Sequence, residues 1–377
     1  MNPIKMVDLN GQYLKIKSEI DKALLETLES ELFINGPAVK NFSEHLAKYL
    51  DVKHVIPCAN GTDALQIALM ALDLKPGDEV ITAPFTFIAT VEVVALLGVK
   101  PVFVDVDQNT FNLDAAQLEI AITPKTKAIV PIHLFGQSAD METIMKIADK
   151  HKIPVIEDNA QAIGSQYTFS DGTVKKLGSI GTMGCTSFFP SKNLGCYGDG
   201  GAIVTNDDLL AEKLKQITNH GSKVKYWHDI VGINSRLDTL QAAILDIKLK
   251  HLDEYISARQ KTAASYDAAF TGNSKIKIPG RDKKSTHVFH QYTLQLDEKN
   301  RDGLKEFLSS YGIPAMVYYP FPLHLQKAYK YLGYKENDFP LTEKLCKTVL
   351  SLPMHTELDK EQIQFITEKV LEYASKH

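Results

Sequence analysis

Thr186-Ser187-Phe188-Phe189-Pro190-Ser191-Lys192-Asn193-Leu194-Gly195-Cys196-Tyr197-Gly198-Asp199-Gly200-Gly201 sets a single lysine between a Phe-Phe run and a glycine-rich segment. Aromatic residues suit the pleated, half-buried surface of a strand, and glycines let backbone approach a ligand closely. The stretch therefore predicts a strand that runs out into a lysine-bearing loop. Upstream, Ile153-Pro154-Val155-Ile156-Glu157-Asp158-Asn159-Ala160-Gln161-Ala162 sets Asp158 and Gln161 just beyond another apolar run. Around these two stretches, strand-like runs at 54–57, 79–82, 101–104, 128–131, 154–157, 182–189 and 202–204 alternate with amphipathic stretches at 62–72, 89–97, 114–121 and 140–151. Such alternation predicts an α/β fold with a mostly parallel central sheet covered on both faces. Ligands of these sheets collect at the carboxyl ends of the strands. Asn60-Gly61-Thr62, Phe85-Thr86-Phe87, Asp158 to Gln161 and Ser187 to Lys192 all fall at such ends.

Beyond Arg236 the pattern changes to a long helical periodicity over 237–270 with a possible break. A Lys/Gly/Asp-rich stretch at 272–284 leads to a strand-like run at 288–296, and helical patterns follow at 301–311 and 360–373. The expectation is a large domain over 1–250 and a smaller α+β domain over 251–377. A chain of 377 residues buries a sizeable core, and 44% hydrophobic with 23% charged residues is ordinary for a globular protein. A formal charge of −4 gives no reason to expect nucleic acid or an anionic membrane as partner. No run reaches membrane-span length, and Met-Asn-Pro-Ile-Lys lacks a signal-peptide core. Cys58, Cys185, Cys196 and Cys346 show no Cys-x-x-Cys spacing, and His133 and His220 have no partner at metal-ligand spacing. The expectation is a cytoplasmic protein with reduced thiols and no metal.

The candidate chemistry starts at Lys192. A solvated surface role is the commonest for any lysine. This one is flanked by apolar and glycine-rich sequence instead of other charges, which draws its amine toward a cleft. Desolvation there lowers the amine pKa and suits it to imine formation and proton transfer. Asp158 is either a helix N-cap or the carboxylate that keeps a pyridine nitrogen protonated. Glu157 is the lesser candidate, because strand alternation points it to the opposite face. A lysine and an aspartate in these roles are what pyridoxal 5′-phosphate (PLP) needs from a protein. Gln161 would hydrogen-bond the phenolic oxygen of that cofactor. The strand-to-helix turn Asn60-Gly61-Thr62-Asp63 offers backbone N–H groups and a hydroxyl to a phosphate, with Ser187 as a second hydroxyl. Of the two phenylalanines, Phe87 is favoured for stacking on the ring. Dinucleotide and P-loop fingerprints are missing.

Taken together, these motifs resemble those of the DegT/DnrJ/EryC1/StrS sugar aminotransferases, PLP enzymes of fold type I with the aspartate aminotransferase fold. The resemblance runs nearly end to end. It covers Val7-Asp8-Leu9, Asn60-Gly61-Thr62-Asp63-Ala64-Leu65, Phe85-Thr86-Phe87-Ile88-Ala89-Thr90 and Glu157-Asp158-Asn159-Ala160-Gln161. It continues through Ser187-Phe188-Phe189-Pro190-Ser191-Lys192, Gly200-Gly201-Ala202, Asn234-Ser235-Arg236-Leu237-Asp238-Thr239-Leu240-Gln241-Ala242-Ala243 and Ser351-Leu352-Pro353. It implies Lys192 as the imine-forming base, Asp158 at the pyridine nitrogen, Gln161 at the phenolic oxygen, and Gly61, Thr62 and Ser187 at the phosphate. It also implies a homodimer with shared active sites, in which Asn234 reaches the phosphate of the neighbouring subunit's cofactor. Lysine at 192 argues against the dehydratase branch, where histidine replaces it. Asn159 departs from the small residue many members carry there.

The substrate reading also comes from resemblance. Asn234-Ser235-Arg236-Leu237-Asp238 is similar to the branch that aminates C3 of 3-keto nucleotide sugars. The segments 192–201 and Asn219-His220-Gly221 are similar to enzymes acting on UDP-2-acetamido-2-deoxy-3-oxo-glucuronate, in O-antigen and lipopolysaccharide assembly, with L-glutamate as amino donor. Arg236 fits a uronate, since a guanidinium pairs with a carboxylate through two charged hydrogen bonds worth about 1.5–3 kcal/mol each. A glutamate donor needs such a cation as well, and Arg236 could instead pair with Asp238. His220, Tyr318, Tyr319 and His324 complete the expected substrate side; tyrosines beside prolines are also common packing anchors. The alternatives are a dTDP-3-keto-6-deoxyhexose, a UDP-4-keto sugar, or a PLP-binding regulator without turnover.

Overall fold

The computed structural model of the protein describes residues 2–377. Seven strands form the central sheet: β1 His54–Cys58, β2 Glu79–Thr82, β3 Lys100–Phe103, β4 Thr126–Ile129, β5 Ile156–Asp158, β6 Met183–Ser187 and β7 Gly201–Thr205. The ladders run in the orders β1-β7-β6-β5 and β3-β2-β4. Parallel bridges from Ile129 to Val155 and from Ile132 to Asp158 join the two halves across β4 and β5. Only β7 breaks the parallel arrangement, lying antiparallel to both β1 and β6. Its direction follows from its connection. A parallel return needs a crossover, usually a helix, whereas residues 188–200 between β6 and β7 contain none. The Lys192 stretch is thus the loop that turns the sheet around.

The intervening helices lie on both faces. The first, α1, spans Gly61–Ala71 directly after β1, with the Asn60 side chain accepting from the Asp63 N–H as its N-cap. One buried cluster gathers Ile67, Val93, Ile203 and Leu214, and another gathers Ile81, Leu118, Ile129 and Ile144. Val80 and Ile81, neighbours on β2, go to opposite clusters, as pleating requires of a strand buried on both sides.

The long periodic stretch resolves into α2 Thr239–Lys250 and α3 Leu252–Phe270, with the break at His251. A third cluster is built around the antiparallel pair β8 Tyr292–Gln295 and β9 Val349–Leu352, with helices Glu298–Ser310 and Lys360–Lys376 packed on it. Ile4 is buried in the same cluster, so the N-terminal segment is pinned to the C-terminal unit. The strand expected over 288–296 begins only at Tyr292. Phe289 sits at φ 49°, in the left-handed region, which bends the chain before it can pair. Val288 and Phe289 pack into the core, and His290 and Gln291 become part of a cavity wall instead.

Candidate active site

A cavity of about 620 Å³ opens where β5 and β6 end and α1 begins. At its base, Asp158 is buried at the last position of β5. Its Oδ2 accepts from Thr90 Oγ1 at 2.7 Å and its Oδ1 from the Ala160 N–H at 3.2 Å. No helix follows for it to cap. Glu157 points the other way, as alternation requires. It is fully buried and accepts from the N–H groups of Gly178, Ile180 and Gly181 at 2.7–2.8 Å. His133 Nδ1 accepts from the Ala139 N–H, which leaves the ring hydrogen on Nε2 to donate to Glu157 at 2.8 Å. The two adjacent carboxylates therefore divide: Glu157 fixes the loop behind the sheet, and Asp158 faces the cavity.

Lys192 lines the same cavity from the β6–β7 loop, with its N–H bonded to Phe189 O. Desolvation is the main cause that lowers its amine to about 8, against the opposing attraction of Asp158. Lowering a lysine from 10.5 to about 8 raises its neutral fraction at pH 7 roughly 300-fold. The neutral amine is the form that can attack a carbonyl.

Opposite these groups stand the phosphate candidates. The N–H groups of Gly61 and Thr62 lie in the first turn of α1, where no intrahelical acceptor exists. Ser187 ends β6 beside them. A Cβ added to Gly61 would stand 2.6 Å from Ser187 Cβ, so only glycine permits this approach. Gln161 accepts from the Phe135 N–H at 2.7 Å and donates from Nε2 to Tyr319 Oη at 3.0 Å. An amide NH₂ carries two hydrogens, which leaves one for a ligand oxygen. Phe87 is 55% exposed on the cavity wall, whereas Phe85 is core, packed on Phe111 and Phe135. Tyr318 and Tyr319 also line the cavity. These residues fit PLP: a desolvated amine, a carboxylate at the base, an unspent amide hydrogen, and a glycine-dependent cradle with hydroxyls for a phosphate.

Four expected residues lie elsewhere. His324 is corrected to a core residue: it is 1% exposed, paired with Glu343 at 3.2 Å and packed on Phe339, so no ligand in the cavity can reach it. His220 is exposed at φ 57°, and its carbonyl bonds His228 Nδ1 at 2.8 Å. Asn234 is exposed beside it through the Asn219–Asn234 bridge. Arg236 is half-buried and makes no ion pair among the described residues, not even with Asp238. None of these lines the cavity of its own chain. The 234–236 loop is nonetheless tied to the phosphate turn, because Ser235 Oγ accepts from the Ala59 N–H and donates to Asp63 Oδ2 at 2.6 Å.

Sequence reasoning missed three contributors. Thr90, the partner of Asp158, lies one turn beyond Phe87, and only its place in the quoted 85–90 motif marked it. His290 was hidden in a run read as strand. Lys248, 1% exposed, donates to Gly195 O at 2.5 Å and thereby holds the Lys192 loop. No cluster of His, Cys, Asp or Glu fit to hold a metal occurs among the described residues, and none of their helices is long and apolar enough to cross a membrane.

Comparison with known proteins gives a consistent picture. The profile of the DegT/DnrJ/EryC1/StrS aminotransferase family matches residues 14–371. A "Pleiotropic regulatory protein" of Geobacillus stearothermophilus is 51% identical, with 98% of each chain covered. The UDP-2-acetamido-2-deoxy-3-oxo-D-glucuronate aminotransferase of Pseudomonas aeruginosa is 48% identical over 96% of this chain and 98% of its own. The dTDP-3-amino-3,4,6-trideoxy-alpha-D-glucose transaminase of Streptomyces venezuelae is 38% identical over 99% and 97%. Among solved structures, S. venezuelae DesV in complex with a ketimine intermediate superposes with a TM-score of 0.95 at 38% identity, covering 99% of both chains.

Proposed function

The chain belongs to the DegT/DnrJ/EryC1/StrS aminotransferase family and is a PLP-dependent sugar aminotransferase of fold type I; from that premise we propose that it aminates C3 of a 3-keto nucleotide sugar. The acceptor we favour is UDP-2-acetamido-2-deoxy-3-oxo-glucuronate, with L-glutamate as donor. The observation that carries the choice is the 48% identity, over nearly the whole of both chains, to an enzyme named for that substrate. The product would serve assembly of a surface polysaccharide such as O-antigen, in the cytoplasm.

When bound, PLP supplies an electron sink that makes the proton beside the reacting nitrogen labile. The residues do the rest. Asp158, held by Thr90, would keep a proton on the pyridine nitrogen. Gln161 would donate its remaining N–H to the phenolic oxygen. Gly61, Thr62 and Ser187 would hold the phosphate, and Phe87 would pack against the cofactor from the cavity wall. Lys192, whose desolvated amine gives up its proton more readily than an ordinary lysine, would link the cofactor and, once released, would carry the proton between the two carbon positions. Asn234 and Arg236 lie outside their own cavity, which fits a homodimer in which this loop serves the neighbour's site.

The test is incubation with glutamate and the UDP-3-keto uronate, generated in place by a coupled dehydrogenase, read by mass spectrometry. A dTDP-3-keto-6-deoxyhexose and a UDP-4-keto sugar run alongside. Amination of either one in preference to the uronate overturns the substrate reading. Turnover of none, by a protein that stays colourless with added PLP, overturns the chemistry. The regulatory name of the Geobacillus relative gives a second reading, a PLP-binding regulator. A protein that takes up PLP yet never releases 2-oxoglutarate from glutamate would support it.

A further inference from the structure

Tyr319 reaches the cavity from the C-terminal unit. The segment that carries it is laid against β9 by paired backbone bonds between Met316 and Ser351 at 3.0 and 2.7 Å. Its ring then meets Phe85 edge-on, with centroids 6.1 Å apart, and lies tilted against Phe87 at 6.3 Å. Phe85 also meets Phe135 edge-on at 6.4 Å. One buried ring thus fixes Tyr319 and Phe135 relative to each other, and the Gln161 amide bonds both. The Phe135 backbone N–H can only donate, so it faces Oε1, at 2.7 Å. That turns Nε2 to Tyr319 Oη at 3.0 Å, where the amide donates and the hydroxyl oxygen accepts. Burial is the main cause that holds the Tyr319 phenol above its usual pKa, so the oxygen stays that of a neutral hydroxyl. Asp63, Asp158, Lys192, His290 and Asp199 are the cavity-lining groups able to carry charge, and none of them hydrogen-bonds the side chain of Gln161 or Tyr319 among the described residues.

The last torsion of a glutamine is broad and sets no amide plane by itself. One bond at Oε1 leaves that plane free to turn. A second bond at Nε2 fixes it, and with it the direction of the remaining hydrogen. We infer that Tyr319 is a positioning residue for Gln161, its hydroxyl oxygen holding the amide so that the unspent N–H meets the cofactor's phenolic oxygen. The bond is a route by which the C-terminal unit acts on a cofactor whose other own-chain contacts come from residues 61–192. The inference rests on the PLP reading and on the placement of Gln161 at the phenolic oxygen.

The test reads the visible band of the PLP-loaded protein against pH, with no substrate present. A donor at the phenolic oxygen competes with the Lys192 imine proton for that oxygen, so weakening the donor lets the imine keep its proton to higher pH. Gln161→Leu should raise the midpoint by roughly one pH unit, and Tyr319→Phe, which keeps the ring packing, by roughly half a unit. In the double variant the midpoint should rise no further than in Gln161→Leu, because the hydroxyl acts only through the amide. A wild-type midpoint in Tyr319→Phe beside a raised one in Gln161→Leu overturns the inference. So does a Tyr319→Phe shift that persists undiminished in the double variant. A wild-type midpoint in Gln161→Leu removes the placement of Gln161 at the phenolic oxygen and the inference with it. Should Gln161→Leu not fold, Gln161→Met takes its place. A protein that develops no band sinks the PLP reading instead. The bond is then read in the cofactor-free protein, where Tyr319→Phe should move the Gln161 side-chain amide ¹⁵N resonance, and no movement refutes the positioning.

Discussion

The sharpest test of the cavity is Gly61→Ala. An alanine Cβ there would lie 2.6 Å from Ser187 Cβ and 3.1 Å from both its Cα and its Oγ. Ordinary carbon–carbon contact is about 3.5–4.0 Å, so α1 and the end of β6 must part by about 1 Å. Both carry groups assigned to the phosphate: the Gly61 and Thr62 N–H on one side and the Ser187 hydroxyl on the other. Overpacking of this kind costs about 1–3 kcal/mol in stability. Moving a hydrogen-bond donor off a charged phosphate costs a further ~1.5–3 kcal/mol in binding, or roughly 10–100-fold in PLP affinity. The assay is titration of cofactor-free protein with PLP, read by the visible band, beside urea unfolding of the same sample. Ser187→Gly removes the atom that the added methyl would strike, so the double variant should recover stability while PLP affinity stays low. A Gly61→Ala protein that binds PLP with unchanged affinity would refute the phosphate assignment. Failure of the double variant to recover stability would refute the steric argument.

Four further outcomes are expected. The rate of PLP linkage by cofactor-free protein should rise with pH and level off above about 8, because the Lys192 ammonium, inactive below that value, must lose its proton; a rise continuing past pH 10 would show an undisturbed lysine. Thr90→Val removes a hydrogen bond to the Asp158 carboxylate, and kcat should fall about 10-fold with little change in KM for glutamate, as steady-state kinetics would show. Lys248→Met should slow PLP linkage by disordering the Gly195 turn, yet leave the protein as stable or more so, since a buried ammonium without a carboxylate partner is lost. Burial lowers Lys248 to about 8, so the destabilising cost it carries is full below pH 8 and fades toward 10.5; urea midpoints of the two proteins should converge over that range. Finally, mixing inactive Lys192→Ala with inactive Asn234→Ala should restore activity through hybrid dimers carrying one intact site; inactivity of a mixture shown to have exchanged subunits would count against shared sites.

Much of the site was legible in the sequence because its residues end strands. Asp158 and Ser187 close apolar runs, and Gly61 opens a helix, so local pattern alone put them on one edge of one sheet. Glu157 could be set aside by alternation, and the structure gives it a separate task in fixing the Gly178–Gly181 turn. His324 and His290 show where local pattern stops. Both sit in mixed apolar and polar runs that look alike as sequence, and only the packing of Phe339 on one and the left-handed bend at Phe289 beside the other separate core from cavity.

Residue type and spacing were enough to specify the alternation of strands and helices, the placement of a desolvated lysine after the sixth strand, and the kinship that names the chemistry. Those properties are local to short stretches of chain. Four others came from the folded arrangement: that β7 returns antiparallel, that Thr90 and Asp158 meet, that Lys248 holds Gly195, and that His290 and Gln291 wall the cavity. These depend on contacts between residues up to about a hundred positions apart in sequence. No period in a chain encodes where its distant segments meet; the packing of the two sheet faces does.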